Sequence, residues 1–413
     1  MSKLLPHQFS SHDLLAHLQH SETDPDDLPI VRYVQSILQE AVQAGASDIH
    51  FEAYEKQYRI RFRQDGLLYE VATPPPHLAL RLSARLKVMA RLDIAEKRMP
   101  QDGRFTFETA QKQTLDCRVS TCPTLYGEKV VLRILDSAMT RLDIDQLGMQ
   151  AIQQQHFLQS IEKPQGLILV TGPTGSGKTV TLYSALHRLN TTQVNISTAE
   201  DPIEMNLSGM NQVPIQPKTG LTFAQVLRSL LRQDPDILMV GEIRDVDTAE
   251  MAIKAAQTGH LVLSTLHTNS AAETLTRLIQ MGIAPFQVAT SLSLVVAQRL
   301  ARRLCDYCKI KTIIPDQVLS DLGFLPHHYV SPFICYAAKG CEHCKNGYKG
   351  RVGLYEVMPI SKTMMQMIML QAHALDMADQ AAKEGIVHLA WAGLLKVQQG
   401  ITSLEESYRV THH

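Results

Sequence analysis

The chain has 413 residues, 45% hydrophobic and 20% charged, the make-up of a folded protein of two to four domains and not of a disordered one. Forty Lys and Arg stand against 41 Asp and Glu, a formal net charge of −1, which excludes a global basic field that would draw the chain to nucleic acid or anionic lipid. No apolar run reaches transmembrane length, and the residues from Met1 to His7 show no secretion signal, so a cytoplasmic chain is expected, with its seven cysteines as metal ligands or free thiols.

Residues 1–27 are polar and rich in His, Ser and Asp, a lead-in. A helical pattern runs from 28 to about 44 and stops at Gly45, a residue suited to a helix C-cap. Residues 47–52 and the alternating 58–63 read as strands, with Asp65-Gly66 as a hairpin turn. Pro74-Pro75-Pro76 breaks the chain before a helix over roughly 78–90. Strands at 104–108, 114–121 and 129–135 complete a small α+β, PAS-like domain spanning 28–135. Residues 136–149 read as a linker. From 150 to 301 strands and helices alternate, as in a parallel α/β sheet. Residues 302–358 carry paired cysteines, and 359–413 is a helical region whose Met-rich stretch 363–370 reads as core or interface.

The most informative stretch is Gly172-Pro173-Thr174-Gly175-Ser176-Gly177-Lys178-Thr179. It fits the phosphate-binding pattern G-x-x-x-x-G-K-[ST], and its context agrees: the apolar run 166–170 precedes it and a plausible helix, 180–186, follows. Glycines let the backbone curl so that its N–H groups face a polyphosphate, and the helix N-terminus adds partial positive charge. Lys178 can reach the β- and γ-phosphates, and the Thr179 hydroxyl can hold magnesium.

Such a loop needs acidic groups for metal and water. Asp236-Ile237-Leu238-Met239-Val240-Gly241-Glu242 reads as an apolar strand ending in a carboxylate, and Glu242 is the candidate that polarises the attacking water. Glu200-Asp201-Pro202-Ile203-Glu204 follows another strand-like run, though acids also cap helices and the group is weak alone. His260 and His267 flank the run 261–266; their odd spacing puts them on opposite strand faces, unsuited to a shared metal. His267, in Thr265-Leu266-His267-Thr268-Asn269, is the better functional candidate, at the active edge of the sheet.

Cys305-x-x-Cys308 and Cys341-x-x-Cys344 match tetrahedral zinc ligation by four thiolates. Cys335 lies outside this pattern, and Cys117 and Cys122 read as core or free thiols. The basic stretch Arg299-Leu300-Ala301-Arg302-Arg303 lacks interleaved aromatics, so it reads as a solvated cationic helix face and not a DNA-binding stripe.

In chain order, Ala46-Ser47-Asp48-Ile49-His50-Phe51-Glu52, Gln101-Asp102-Gly103-Arg104, the phosphate loop, Glu200 to Glu204, Gly241-Glu242-Ile243-Arg244-Asp245 and Thr258-Gly259-His260 through His267 resemble the secretion ATPase superfamily of type II secretion and type IV pilus assembly. The likeness covers roughly residues 28–400. It implies a RecA-like P-loop ATPase core, with Glu204 as the acting residue of an Asp box, Glu242 as the Walker B glutamate, and His260 and His267 as the His box. Arg104 and Arg118 look like the arginines that reach nucleotide phosphate from the small N-terminal domain. The resemblance further implies a homo-hexameric, magnesium-dependent ATPase on the cytoplasmic face of the inner membrane, which moves a platform protein there and adds pilin-like subunits to a filament. The cysteine pairs point to the assembly and secretion branches, and 344–357 looks closest to pilus-assembly members. Most such members carry a further N-terminal docking domain; about 27 residues precede the shared region here, so either a naturally short form or a different mode of docking is expected. The expected function is a pilus-assembly motor binding ATP, Mg2+ and Zn2+ and no nucleic acid. A type II secretion motor is the alternative, and a DNA translocase ranks lower.

Overall fold

The structure, a computed structural model, describes residues 28–135, 143–324 and 329–412. The expected lead-in and residues 136–142 of the expected linker lie outside the described residues. Two compact units divide the chain after Ser137.

In the first unit, helix α1 (Leu28–Gln43) places Ile30, Tyr33, Val34, Ile37, Leu38 and Ala41 on one buried stripe, and Gly45 ends it at φ 67°. Six strands follow: β1 (Ala46–Ala53), β2 (Tyr58–Gln64), β3 (Leu67–Ala72), β4 (Gln101–Glu108), β5 (Thr114–Thr124) and β6 (Gly127–Leu135). They form one antiparallel sheet in the order β3-β2-β1-β6-β5-β4. Asp65 and Gly66 make the β2–β3 turn at φ 49° and 88°, the left-handed pair that matches strand twist. Helix α2 (Ala79–Met89) and α1 share one core with the inward residues Ile49, Phe51, Ile60, Cys117, Val119 and Leu132.

The second unit is built on a seven-stranded sheet. Its strands are β7 (Gly166–Thr171), β8 (Ile196–Glu200), β9 (Asn211–Pro214), β10 (Ile237–Val240), β11 (Leu261–Leu266), β12 (Leu292–Leu304) and, numbered in chain order, β15 (Tyr348–Pro359). The spatial order is β15-β12-β7-β11-β10-β8-β9, parallel throughout except at β15, which runs antiparallel to β12. Every residue of β7, β10 and β11 is buried, as a parallel sheet covered on both faces demands. The helices are α3 (Ala151–Ile161), α4 (Lys178–Leu189), α5 (Phe223–Leu230), α6 (Val246–Gln257), α7 (Ala271–Gln280) and α8 (Pro285–Ser291).

The sheet cuts across the expected boundaries of a zinc module at 302–358. Between β12 and β15 the chain leaves the sheet for β13 (Ile310–Ile314), α9 (Asp316–Asp321) and β14 (Phe333–Ala337), a separate antiparallel pair, then returns with Leu304 opposite Tyr348. Four C-terminal helices follow: α10 (Lys362–Met369), α11 (Ala374–Lys383), α12 (Leu389–Gln398) and α13 (Leu404–Thr411). The methionine-rich α10 buries Met364 and Ile368 as ordinary core. The basic stretch 299–303 is strand, not a helix face. Arg299 is buried and donates to Asn269, and Arg302 donates to the buried Glu406. The sequence reading failed there because consecutive arginines look solvent-bound until their buried partners are in view. Among the described residues no helix is long and apolar enough to cross a membrane.

A charge pair is buried inside the first unit. Lys87 is 1% exposed, rests against the Glu128 carboxylate and donates to Glu96 O at 2.7 Å. Glu128→Ala leaves that ammonium buried without its counter-charge and is expected to destabilise the unit by about 3 kcal/mol. Hydrogen exchange read by mass spectrometry should show protection in α2 and β6 falling about 100-fold; unchanged exchange would contradict this role for the pair.

Candidate functional site

The phosphate loop emerges where fully buried β7 ends. Gly172, Gly175 and Gly177 stand at φ 148°, 82° and 89°, in the region glycine alone enters freely. Space is equally restrictive: a Cβ on Gly172 would lie 2.5 Å from Gln298 O, and one on Gly177 2.9 Å from Gln298 Nε2. Helix α4 begins at Lys178, so its first amides lack helix partners and point to the loop. Lys178 Nζ donates to Gly172 O at 2.8 Å and Pro173 O at 3.1 Å. Burial pushes this ammonium down to about 8; Glu242 works against the shift and Arg299 with it. Thr179 is exposed on the first turn, beside the exposed Pro173, Thr174 and Gly175. Ser176 Oγ is buried with no hydrogen-bond partner. An unpaired buried hydroxyl costs about 1–3 kcal/mol, and beside helix-end amides it fits a phosphate oxygen or its metal.

Two strands over, β10 delivers Glu242. Its loop is pinned by β11, where Thr265 Oγ1 donates to Gly241 O at 2.9 Å and Ile243 N to Thr265 O at 2.9 Å. Glu242 accepts from Arg244 Nη2 at 2.6 Å and faces His267 Nε2 at 3.3 Å, while Arg244 also lies 3.7 Å from Asp201. Burial pushes the Glu242 carboxyl up, but Arg244 and His267 outweigh it and hold it below the usual range. Asp201, Arg244, Glu242 and His267 thus form one linked polar chain across the carboxyl ends of β8, β10 and β11.

The other candidates fall elsewhere. Glu204 is half-buried in the loop after β8, its backbone N–H turned to the Tyr183 hydroxyl. The fully buried acid of that group is Glu200, which accepts from Tyr183, from Thr198 Oγ1 at 2.6 Å and from Gln212 Nε2 at 3.0 Å. His260 lies at the opposite end of β11 from His267, about 23 Å away by strand rise. Its Nδ1 is 3.0 Å from Ala255 O at the end of α6, so within this chain it takes no part in the Glu242 cluster.

In the first unit, strand register aligns Arg104 with Arg118, Arg118 with Arg133, Arg133 with Asp48 and Asp48 with Arg63. Arg133 Nε reaches Asp48 at 3.0 Å. The row holds four guanidinium groups and one carboxylate, on the face away from the core residues Cys117 and Leu132. Sequence reading missed Arg133, because only register puts it beside Arg118.

The four cysteine sulfurs lie within 4.8 Å of one another. The separations are 3.8 Å for Cys305–Cys341, 3.7 Å for Cys308–Cys344 and 3.7 Å for Cys341–Cys344. A tetrahedron with zinc–sulfur bonds of about 2.3 Å has edges of about 3.8 Å, so the donor set fits a single tetrahedral ion. Cys335 is buried in β14 and Cys117 in the first core, whereas Cys122 is exposed.

Residues 23–409 match the family model described as "Type II/IV secretion system protein". The chain is 56% identical over 393 residues to the type IV pilus assembly ATPase PilB of Pseudomonas aeruginosa, covering 95% of this chain and 69% of that protein. It is 51% identical to the PilB of Myxococcus xanthus (92% and 68% covered) and 48% identical to the type II secretion system ATPase E of Vibrio cholerae (94% and 76%). Among solved structures, the Legionella pneumophila ATPase DotB superposes with a TM-score of 0.65 at 21% identity, covering 91% of this chain and 94% of that one, a likeness of fold.

The geometry around Glu242 fixes the sign of a pH effect. A carboxyl held below its usual range stays ionised as pH falls, and a function that needs the charge is lost only as pH drops through that lowered value. In Arg244→Ala, burial acts with less opposition, so the acid limb of the ATP turnover profile should move to higher pH. An acid limb that stays in place would separate Glu242 from the turnover step.

Proposed function

This chain belongs to the type II/IV secretion system protein family and is an ATPase, and we propose that it is the motor of type IV pilus assembly. It would work as a homo-hexamer at the cytoplasmic face of the inner membrane, moving a platform protein there. The observation that carries this reading is chain-wide: more than half of the aligned positions are identical to pilus-assembly ATPases of the PilB kind. The type II secretion relatives stand somewhat lower, and that motor is the second reading.

The roles follow from the site. The loop 172–177, Lys178 and Thr179 hold the phosphates and a magnesium ion, which supplies charge neutralisation at the transferring phosphoryl group. Glu242 takes the water, with Arg244 and His267 fixing its carboxylate, and Glu204 serves the metal's water shell. Arg104 and Arg118, joined by Arg133, bring guanidinium charge from the first unit, because a row so rich in one sign calls for an anion. Zinc at Cys305, Cys308, Cys341 and Cys344 is structural, since four thiolates leave no open ligand position. Arg299 and Arg302 are committed to Asn269 and Glu406, which speaks against a DNA translocase.

Glu242→Gln should keep ATP binding but slow turnover by about 100-fold or more, and cells carrying it should make no pili. Arg104→Ala with Arg118→Ala should lower turnover about tenfold through lost charge stabilisation. Parental turnover in Glu242→Gln would sink the hydrolytic assignment; lost protein secretion with normal piliation would favour the type II reading. Metal analysis of reduced, chelator-free protein should find about one zinc per chain, and Cys305→Ser with Cys341→Ser should abolish it. Metal-free parental protein would refute the zinc site.

A further inference from the structure

Behind the phosphate loop lies a buried polar group that the chemistry above does not use. Gln298 is 2% exposed on β12, one residue beyond Ala297, which pairs with Thr171 at the end of β7. Its backbone oxygen and its side-chain amide fill the spaces that glycine leaves at the two ends of the loop, Gly172 and Gly177. Its Oε1 accepts from Thr181 Oγ1 at 2.8 Å, on the first turn of α4. Its Nε2 lies 3.5 Å from the Tyr355 hydroxyl, which Thr181 also reaches. Tyr355, 2% exposed on β15, donates onward to Leu147 O at 3.1 Å. Gly353 is required beside it, because a Cβ there would lie 2.3 Å from the Tyr355 ring. Leu147 ends the short 3-10 turn Ile144–Gln146, at the start of the described part of the second unit. Gln153 Nε2 binds Tyr355 O at 2.6 Å and so ties α3 to the same residue.

We propose that Gln298 and Tyr355 are positioning residues of the ATPase: Gln298 sets the loop against α4, and Tyr355 couples that setting to the segment 144–161. The inference rests on the nucleotide-site reading above and deepens it. Two features carry it. Gln298 is buried in the sheet, and a buried amide is tolerated there because its hydrogen bonds are made. The chain of bonds is also continuous, from Thr181 on the loop's helix to the Leu147 carbonyl. A nucleotide that shifts α4 therefore moves the donor of the Thr181–Gln298 bond and, through Tyr355, the hold on Leu147.

The test uses Tyr355→Phe, which keeps the ring and removes only the hydroxyl, and Thr181→Val, which removes the other end of the chain without touching the ring. Binding of ADP and its non-hydrolysable ATP analogue is measured on the full chain, together with hydrogen exchange of peptides in 144–161, with and without nucleotide. In the parent, nucleotide should slow exchange in 144–161. In Tyr355→Phe that response should vanish and the nucleotide Kd should rise about five- to tenfold, more than the accompanying fall in melting temperature accounts for. The two substitutions together should be less than additive on Kd. Parental affinity and exchange response in both variants, or strictly additive effects, overturn the coupling while leaving the nucleotide site intact. A drop in melting temperature that accounts for the affinity loss in both variants reduces Gln298 and Tyr355 to packing and also overturns it. Failure of the parent to bind nucleotide overturns both readings.

Discussion

The ammonium of Lys178 sets the terms for the second unit. It is nine-tenths buried, and a charge so placed costs several kcal/mol unless its protons are used. Two loop carbonyls and the field of Glu242 provide the offset, and the loop must curl tightly to present those carbonyls. Curling requires glycine at left-handed φ, and closeness to β12 forbids a Cβ there. The loop glycines, the buried strand behind them and the neighbouring Gln298 all answer one demand: to keep a cation dry yet available to phosphate.

Sheet order turns that demand into a site. Strand β11 separates β7 from β10, so the loop and Glu242 are held two strands apart, about 10 Å by interstrand spacing. Between them, near the end of β11, Thr265 holds Gly241 O, and the chain continues into His267, which faces Glu242. Thr171 and Thr268 share a hydroxyl contact at 2.5 Å, which locks the end of β7 to the His267 loop. The first unit applies the opposite device. Its arginine row concentrates positive charge along one line of the sheet, where Asp48 is the carboxylate in register and Arg133 reaches it at 3.0 Å.

What was legible in the sequence was whatever chemistry is local. The phosphate loop, the acidic end of β10 and the two cysteine pairs each occupy a few consecutive residues, and the strand–loop–helix context is contiguous. The helix α1, the Asp65-Gly66 turn and the strands of the first unit were readable for the same reason. Hidden features depend on register or on distant partners. Arg133 joins Arg104 and Arg118 only through pairing across β4, β5 and β6. Thr181 and Gln298 meet across 117 residues. Arg299 and Arg302 look solvated until Asn269 and Glu406 appear opposite them, and β15 cannot be assigned to the main sheet before its pairing with β12 is seen.

That last strand links the cysteine cluster to the nucleotide site. Side chains alternate across a strand, so consecutive residues of β15 serve different faces. Tyr355 joins the core beneath the phosphate loop, while Glu356 turns to the other face and accepts from the N-terminal amide of α7 at 2.9 Å. A one-residue slip against β12 would exchange them, sending a carboxylate beneath the loop and stripping the cap from α7. The chain reaches β15 only after an excursion from 305 to 347, long enough to permit such a slip. Cys305 N donates to Gly347 O at 2.8 Å, and the four cysteine sulfurs gather at that same junction. A metal held there would fix where the returning strand begins, with Leu304 opposite Tyr348; a one-residue bulge between Arg302 and Leu304 then sets the register that puts Gln298 opposite Tyr355. The cysteine cluster thus sits at the start of the edge strand β15, whose pairing with β12 sets Tyr355 opposite Gln298.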